Sequence, residues 1–491
     1  MAKKNSSEPL IYAVLLCLGV LFGLLWNRIV KHEKLNADTK IEQVMGLVES
    51  EYVDSVSASD IEDKAINELL SSFDPHSVYI PAQYVEMASQ DLKGGFQGIG
   101  IEFSVLNDTP NVVRVIKDGP AAMAKLKPGD RIIKVDTINL IGLKNADIIN
   151  AIKGNKNTSF VGTIYRKSTK ETLSITIDRG TVKTPSVYSG LINDQTIYAK
   201  IEHFAEKTHS EFTEQVKKLM ASGKVTGMVL DLRGNPGGYL QTAIKLLDEF
   251  VDGNDILAYT QSKGGKRKEY RASNGGMCKD LKVVCLVNNR SASASEIVSG
   301  ALQDLDKAVI IGSQTYGKGL VQETFQLKDG AQIRLTVSRY YIPSGRSIQK
   351  PYDDKGYQDL DSLEILELEK PYKTKNGRVV KSSGGITPDI YYTPSDASIS
   401  YHQLGNYTSQ LVDKNINRWS NMTSDDWLKS KEVSAEIEDV LQDSVIYKNP
   451  VTNRLVYQLF GIGESYKQSF GVDSMIMKSV YELNNHSLLN P

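Results

Sequence analysis

The sequence predicts a multidomain chain of mixed α+β and α/β class, with a β-rich module ahead of an α/β core and helices at either end. Three observations carry that expectation. Between residues 195 and 312, apolar strands and helices alternate, the rhythm of a substantially parallel sheet. Between 101 and 178 the chain runs instead in short β-branched strands. Residues 37–72 repeat apolar side chains at three- and four-residue steps, and residues 400–491 are polar and mostly helical in character.

Composition narrows the function classes. The 491 residues admit about three domains, and 40% hydrophobic with 24% charged residues excludes a mainly disordered chain. The 58 basic and 59 acidic residues leave a net charge of −1, and no local basic patch favours nucleic acid. Three cysteines exclude a disulfide scaffold, and no group of cysteines and the six histidines has zinc spacing.

After a short tail, 1–8, the run Pro9–Asn27 carries no charge over nineteen residues. As a helix it covers roughly 28 Å, against about 30 Å for a bilayer core. Trp26 stands at one end, and no small-x-small cleavage site follows, so 9–27 reads as an uncleaved transmembrane signal anchor rather than a buried core helix. Lys3 and Lys4 on one side, and Arg28, Lys31 and Lys34 on the other, do not set its orientation.

A helical region, 35–92, follows: Ile41, Val44, Met45, Val48 and Tyr52, then Ile61, Ala65, Ile66, Leu69 and Leu70, until Asp74-Pro75-His76-Ser77 breaks the pattern. Residues 93–183 open on the glycine-rich Gly94–Ile101. They continue as strands at 112–116, 131–135 and 173–177, with short helical stretches at 119–125 and 145–153. The core, 184–395, alternates strands at 196–201, 227–232, 282–287 and 308–311 with helices at 210–220, 239–250 and 294–305. Residues 353–383 are charged and read as an exposed insertion; 396–491 form a mostly helical extension without a legible motif.

Several segments invite chemistry. Gly312-Ser313-Gln314-Thr315-Tyr316-Gly317-Lys318-Gly319 nearly spells a phosphate loop, but Gly319 replaces the magnesium-binding hydroxyl and the following residues alternate like a strand. Ser347–Lys350 is a Ser-x-x-Lys in a proline-flanked loop and reads as surface. Asn289–Ile297 joins an apolar strand to a helix and holds Ser291, Ser293 and Ser295. Ser293-x-x-Glu296 is a capping box, so a hydroxyl there either caps the helix or stands where N–H groups favour an anion. A serine nucleophile needs a base. No histidine lies within sixty residues of Ser293, whereas Lys318 sits in a glycine-bounded turn and Gln322 four residues on can orient its amine. Such a lysine works neutral, its pKa lowered from about 10.4 towards 7–8 by desolvation; otherwise it is an ordinary turn lysine. Asp231–Gly238 ends a strand with paired glycines, which bring N–H groups close to a ligand. All three turns follow strands and can share the carboxyl edge of one sheet.

These segments, in this order, resemble the carboxyl-terminal processing peptidases, or tail-specific proteases. The resemblance runs from Phe73-Asp74-Pro75-His76-Ser77 to Pro388-Asp389. It implies a crotonase/ClpP-like α/β protease core with an inserted PDZ domain at 93–183. It implies Ser293 as nucleophile, Lys318 as general base and Gln322 as its partner. The oxyanion donors are then the N–H of Ala294 and one from Gly237 or Gly238. Gly98, Ile99, Gly100 and Ile101 correspond to the loop that binds a peptide's terminal carboxylate. Lys125 stands where the family often has glycine.

The function so implied is a membrane-anchored serine endopeptidase that recognises proteins by apolar free C-termini and works through an acyl-enzyme, without cofactor or metal. The implied location is the bacterial inner membrane, with the body in the periplasm. The alternatives are a non-enzymatic PDZ adaptor on a degenerate protease scaffold and a crotonase-like acyl-CoA enzyme. The natural substrate, a homo-oligomeric state and an activating adaptor stay open.

Overall fold

The computed structural model describes residues 13–16, 18–22, 39–154, 157–221, 223–273, 275–353, 356–357, 370–382, 384–393 and 399–485. The anchor expected at 9–27 lies largely outside them. Its described pieces, 13–16 and 18–22, are helical, and among the described residues no helix is long and apolar enough to cross a membrane.

The chain divides into two compact units. In the smaller, helices Lys40–Glu51 and Ala58–Ser71 precede a strand, Val78–Ile80, that pairs antiparallel with residues 332–334. Leu70, Tyr79 and Ala331 form its core. Thr39 and Glu42 make a reciprocal capping box, which fixes where the first helix starts.

The larger unit holds three bodies. The first, within residues 95–183, is an antiparallel sheet in the order Ile101–Leu106, Thr109–Val115, Asp130–Val135, Ser159–Arg166, Glu171–Asp178, closed by the helix Asn145–Lys153. Its interior is aliphatic, led by Val112, Ile132, Ile148 and Ile164. Ile101–Leu106 has a neighbour on one side only and forms an edge. Lys125 occupies a left-handed turn at φ +60°, the conformation for which glycine is the unstrained choice.

The second body is a six-stranded sheet. Four parallel strands, Thr196–Ile201, Gly227–Asp231, Lys282–Val287 and Ala308–Gly312, lie between the antiparallel strand Val187–Asn193 and the short Ile390–Tyr391. Every residue of Gly227–Asp231 and Ala308–Gly312 is buried, as in a parallel sheet covered on both faces. Helices Thr208–Met220, Leu240–Asp248 and Ala294–Asp304 pack on one face. Cys278 and Cys285 are buried free thiols.

The third body is the helical extension, six α-helices between Tyr401 and Asn485, with Trp419 and Trp427 edge-to-face at 5.4 Å inside it. Its last helix, Ser474–Asn485, covers the other face of the parallel sheet through Met475, Ile476 and Leu483.

Within the segment 353–383, most residues described between 371 and 382 are exposed. Lys370–Lys373 and Val379–Ser382 form a hairpin with Thr374 and Val380 buried. Half-buried Arg378 pairs with Asp306 and Asp389, while Lys373, Lys375 and Lys381 stay exposed. Residues 358–369 lie outside the description.

Candidate active site

Three turns leave the carboxyl ends of adjacent parallel strands: 232–238 after Gly227–Asp231, 288–293 after Lys282–Val287, and 313–319 after Ala308–Gly312. Asn235, fully buried, stitches the first two together. Its carbonyl accepts the Ala292 N–H at 3.0 Å and the Ser295 hydroxyl at 2.9 Å. Its amide donates to the Ile201 carbonyl at 2.9 Å and accepts the Gly237 N–H at 2.8 Å. Ser291, also buried, donates to the Leu232 carbonyl at 2.8 Å.

Ser293 is half-buried at the head of the helix Ala294–Asp304 and adopts φ +54°, ψ −112°. That region is strained for a side-chain-bearing residue, on the order of 1–3 kcal/mol, and such strain persists only where surroundings impose it. Gly237 is pressed against it: a Cβ there would lie 2.9 Å from Ser293 Cβ and 3.0 Å from Ala294 N. Only glycine fits, and its φ of +104° demands glycine as well.

The structure discriminates between the two glycines. The Gly237 N–H is occupied by Asn235. Gly238 bridges to Phe204 through the Gly237 carbonyl and the Tyr239 N–H, each at 2.8 Å, so the Gly238 N–H points to the other side. The Ala294 N–H is the first of its helix and has no i−4 acceptor.

The turn bearing Lys318 is joined to the turn bearing Ser293 by one carboxylate. Glu296 Oε2 accepts the N–H of Ser293 at 2.8 Å and of Lys318 at 2.9 Å. Its Oε1 accepts the Gly317 N–H at 2.7 Å and the Thr315 hydroxyl at 2.6 Å. Complete burial pushes this carboxyl up to about 7, against four hydrogen bonds that favour its charged form. The glutamate half of the expected capping box therefore exists, but it serves a wider junction than a helix end. The Tyr340 hydroxyl, fully buried, reaches the carbonyls of both Ser293, at 3.0 Å, and Lys318.

Lys318 is half-buried. Gln322 lies on the strand Leu320–Gln326, and its Nε2 donates to Thr336 Oγ1 at 3.1 Å, which orients the amide. The phosphate-loop look-alike opens onto that strand, not onto a helix.

Beneath the 232–238 turn lies a buried charge cluster. Asp231 accepts from Tyr198 at 2.8 Å and from Arg233 at 2.6 Å, with the Lys200 ammonium 3.6 Å away. Burial alone would raise Asp231; Arg233 and Lys200 outweigh it and hold the carboxyl well below the usual range.

Far along the sequence, Gly98–Ile101 lines an open groove of about 190 Å³. Its walls are Ile101 and Phe103 from the edge strand and Ile149 and Ile152 from the helix. The carbonyls of Ile99 and Gly100 are held by the N–H groups of Ala121, at 2.7 Å, and Ile116, at 2.8 Å. In a trans peptide this turns the Gly100 and Ile101 N–H groups the opposite way.

The comparisons agree with this layout. Residues 195–356 match the profile of peptidase family S41, and residues 97–185 that of a PDZ domain. The chain is 31% identical over 375 residues to the carboxy-terminal processing protease CtpB of Bacillus subtilis, covering 74% of this chain and 77% of that one. The chain belongs to peptidase family S41. It is similar as well to the carboxy-terminal-processing protease of Bartonella bacilliformis, 37% identical over 305 residues, covering 62% of this chain and 70% of that one. A solved photosystem II D1 C-terminal processing protease aligns with 74% of this chain and 88% of its own at 22% identity, TM-score 0.42. This S41 chain is thus a serine-type peptidase of the carboxy-terminal processing kind, with an S41 protease fold and a PDZ domain.

Two residues of the site were not singled out from sequence as parts of the chemistry: Glu296, read only as a cap, and Tyr340. One signal pointed at Glu296. It is one of two charges in an otherwise uncharged helix, and a charge on a buried helix needs partners.

Proposed function

We propose that this S41 peptidase is a membrane-anchored endopeptidase that takes proteins by their C-terminal tails. Ser293 attacks a peptide carbonyl while neutral Lys318 accepts its proton, and Gln322 holds the lysine amine. The tetrahedral oxyanion is met by the N–H groups of Ala294 and Gly238. Lys318 returns the proton to the leaving amine, and water hydrolyses the acyl-enzyme by the same route.

The observation that carries this reading is the junction of the three turns. Glu296 and Tyr340 each tie Ser293 to Lys318, and Gly237 packs so closely on Ser293 that a Cβ there would lie 3.0 Å from the Ala294 nitrogen. The PDZ groove supports tail recognition: apolar walls suit an apolar terminal side chain, and loop N–H groups suit its carboxylate. The anchor reading is supported by the charge-free run 9–27, whose residues Val14, Leu15, Leu16, Leu18, Val20, Leu21 and Phe22 are all exposed. The body is then extracytoplasmic.

The test is degradation of an unfolded protein by purified residues 35–491 with and without Ser293→Ala. Cleavage by the parent and none by a folded variant is expected; equal cleavage by both removes Ser293 as nucleophile. Membrane fractionation of the full chain, with protease added from outside the inner membrane, tests the anchor and its orientation.

A further inference from the structure

The segment Ser347–Lys350 is not the surface loop expected from its sequence. Ile348 is fully buried in the core of the protease body, and Ser347, Gln349 and Lys350 are half-buried. The segment lies against the turn bearing Lys318. A Cβ on Gly319 would lie 2.9 Å from Gln349 N and 3.0 Å from Gln349 Cβ, which accounts for glycine at the position where a phosphate loop needs a hydroxyl.

Every main-chain polar group from Gly317 to Gly319 is held. The Gly317 and Lys318 N–H groups go to Glu296. The Gly317 carbonyl accepts the Lys350 N–H at 2.8 Å. The Lys318 carbonyl accepts the Tyr340 hydroxyl, and the Gly319 carbonyl accepts the Tyr340 N–H at 3.0 Å. The Gly319 N–H donates to Gln349 Oε1 at 2.7 Å. Two rigid peptide planes meet at the Lys318 Cα. The first, between 317 and 318, is pinned through Lys350 and Glu296; the second, between 318 and 319, through Tyr340 and Gln349. Both backbone torsions of Lys318 are thereby fixed, and only its side-chain rotamer is left to place the amine.

The second plane depends on two side chains, Tyr340 on its oxygen and Gln349 on its nitrogen. Gln349 is itself oriented, because its Nε2 donates to the Lys350 carbonyl at 2.7 Å. One end of the amide thus gives a proton and the other receives one, which settles which end is which. The segment is anchored at Arg346, which is fully buried, pairs with Asp304 at 2.8 Å and donates to Gln303 at 2.6 Å. Gln303 and Asp304 close the helix whose first turn holds Glu296 and whose cap is Ser293. The Lys318 turn is therefore gripped from both ends of one helix.

We propose that Gln349 is a positioning residue for the peptidase reaction, acting through the Gly319 N–H to hold Lys318 in line with Ser293. This deepens the serine-lysine reading above and rests on it. Without an acceptor for the Gly319 N–H, the second plane turns about Lys318, and a base that swings from the hydroxyl costs turnover rather than substrate affinity.

Three substitutions test this in the full chain in detergent, read by hydrolysis of an internally quenched ten-residue peptide ending in a free-acid valine. Gln349→Ala and Gln349→Met remove the acceptor, the second with little loss of bulk. Gln349→Glu keeps a carboxylate oxygen for the Gly319 N–H. The first two are expected to lower kcat at least tenfold, with KM within twofold of the parent and circular dichroism unchanged. Gln349→Glu is expected to recover kcat to within threefold of the parent. Lys318→Arg is run alongside and is expected to be inactive. Three results overturn the positioning role and, with Lys318→Arg inactive, leave the serine-lysine reading standing. They are a kcat within threefold of the parent in folded Gln349→Ala or Gln349→Met, a change confined to KM, and a Gln349→Glu variant as slow as the other two. If neither neutral variant folds, a tenfold loss in folded Gln349→Glu overturns the role and recovered turnover supports it. No cleavage by the parent, or near-normal turnover by Lys318→Arg, removes the serine-lysine reading and the positioning role with it.

Discussion

Ser293 and Lys318, twenty-five residues apart, donate their backbone N–H groups to the same oxygen, Glu296 Oε2, at 2.8 and 2.9 Å. The turns that carry these two side chains are therefore held as one unit. The consequences of that junction can be measured.

Replacing Lys318 by arginine keeps a positive charge but removes any means of accepting a proton, because arginine stays protonated. Lys318→Arg is expected to bind substrate and cleave none of it, as read by peptide binding and hydrolysis on the same preparation. Near-normal turnover by the arginine variant ends the serine-lysine assignment.

Each oxygen of Glu296 accepts two donors, and an amide nitrogen can accept none. Glu296→Gln is expected to cost about 2–4 kcal/mol of stability and to lower kcat at least a hundredfold, since two buried donors lose their acceptor. Chemical denaturation and steady-state kinetics on the same preparation check both. Unchanged kcat in a destabilised protein would leave Glu296 as a structural cap alone.

The same carboxyl sets a pH dependence of folding. Its pKa is raised from 4.5 to about 7, so its contribution to stability is complete below 4.5 and lost as pH rises through about 7. Unfolding free energies of parent and Glu296→Gln, compared from pH 5 to pH 8, are expected to show the parent losing stability relative to the variant. A constant difference contradicts the raised value.

Gly237→Ala places a Cβ 2.8 Å from the Ala292 carbonyl oxygen and 2.9 Å from Ser293 Cβ, at φ +104°. Neither contact is with a flexible side-chain end, so the turn must shift. Activity is expected to vanish even where the variant still folds, with circular dichroism reporting the fold and peptide hydrolysis the site. Full activity would show that the turn does not order the oxyanion donors.

Tail binding is tested on the full chain carrying Ser293→Ala, which prevents turnover. A peptide with a free apolar C-terminus is expected to bind more tightly than its amide by roughly 1.5–3 kcal/mol, the scale of a charged hydrogen bond. Equal affinities remove the carboxylate role of Gly98–Ile101.

What the sequence by itself determined is local. Period-2 and helical patterns placed the strands and helices, because burial on one face imposes them. The three chemical turns were legible because glycines, and a serine or lysine between them, mark strand ends. What only the tertiary structure decided is which distant groups meet. That Gly238 rather than Gly237 has an unoccupied N–H depends on Asn235, whose amide direction no local pattern encodes. That Glu296 serves Lys318 as well as Ser293, and that Tyr340 spans both, follows from parallel strands bringing their carboxyl ends side by side. The charged hairpin at 370–382 is largely exposed, and only the structure shows that one of its charges, Arg378, is tethered by Asp306 and Asp389. The extension gave no motif because its contacts with the rest of the chain run through ordinary residues such as Tyr457 and Asp473. Their partners stand hundreds of residues away, and a hydrogen bond across such a distance leaves no trace in either segment read alone.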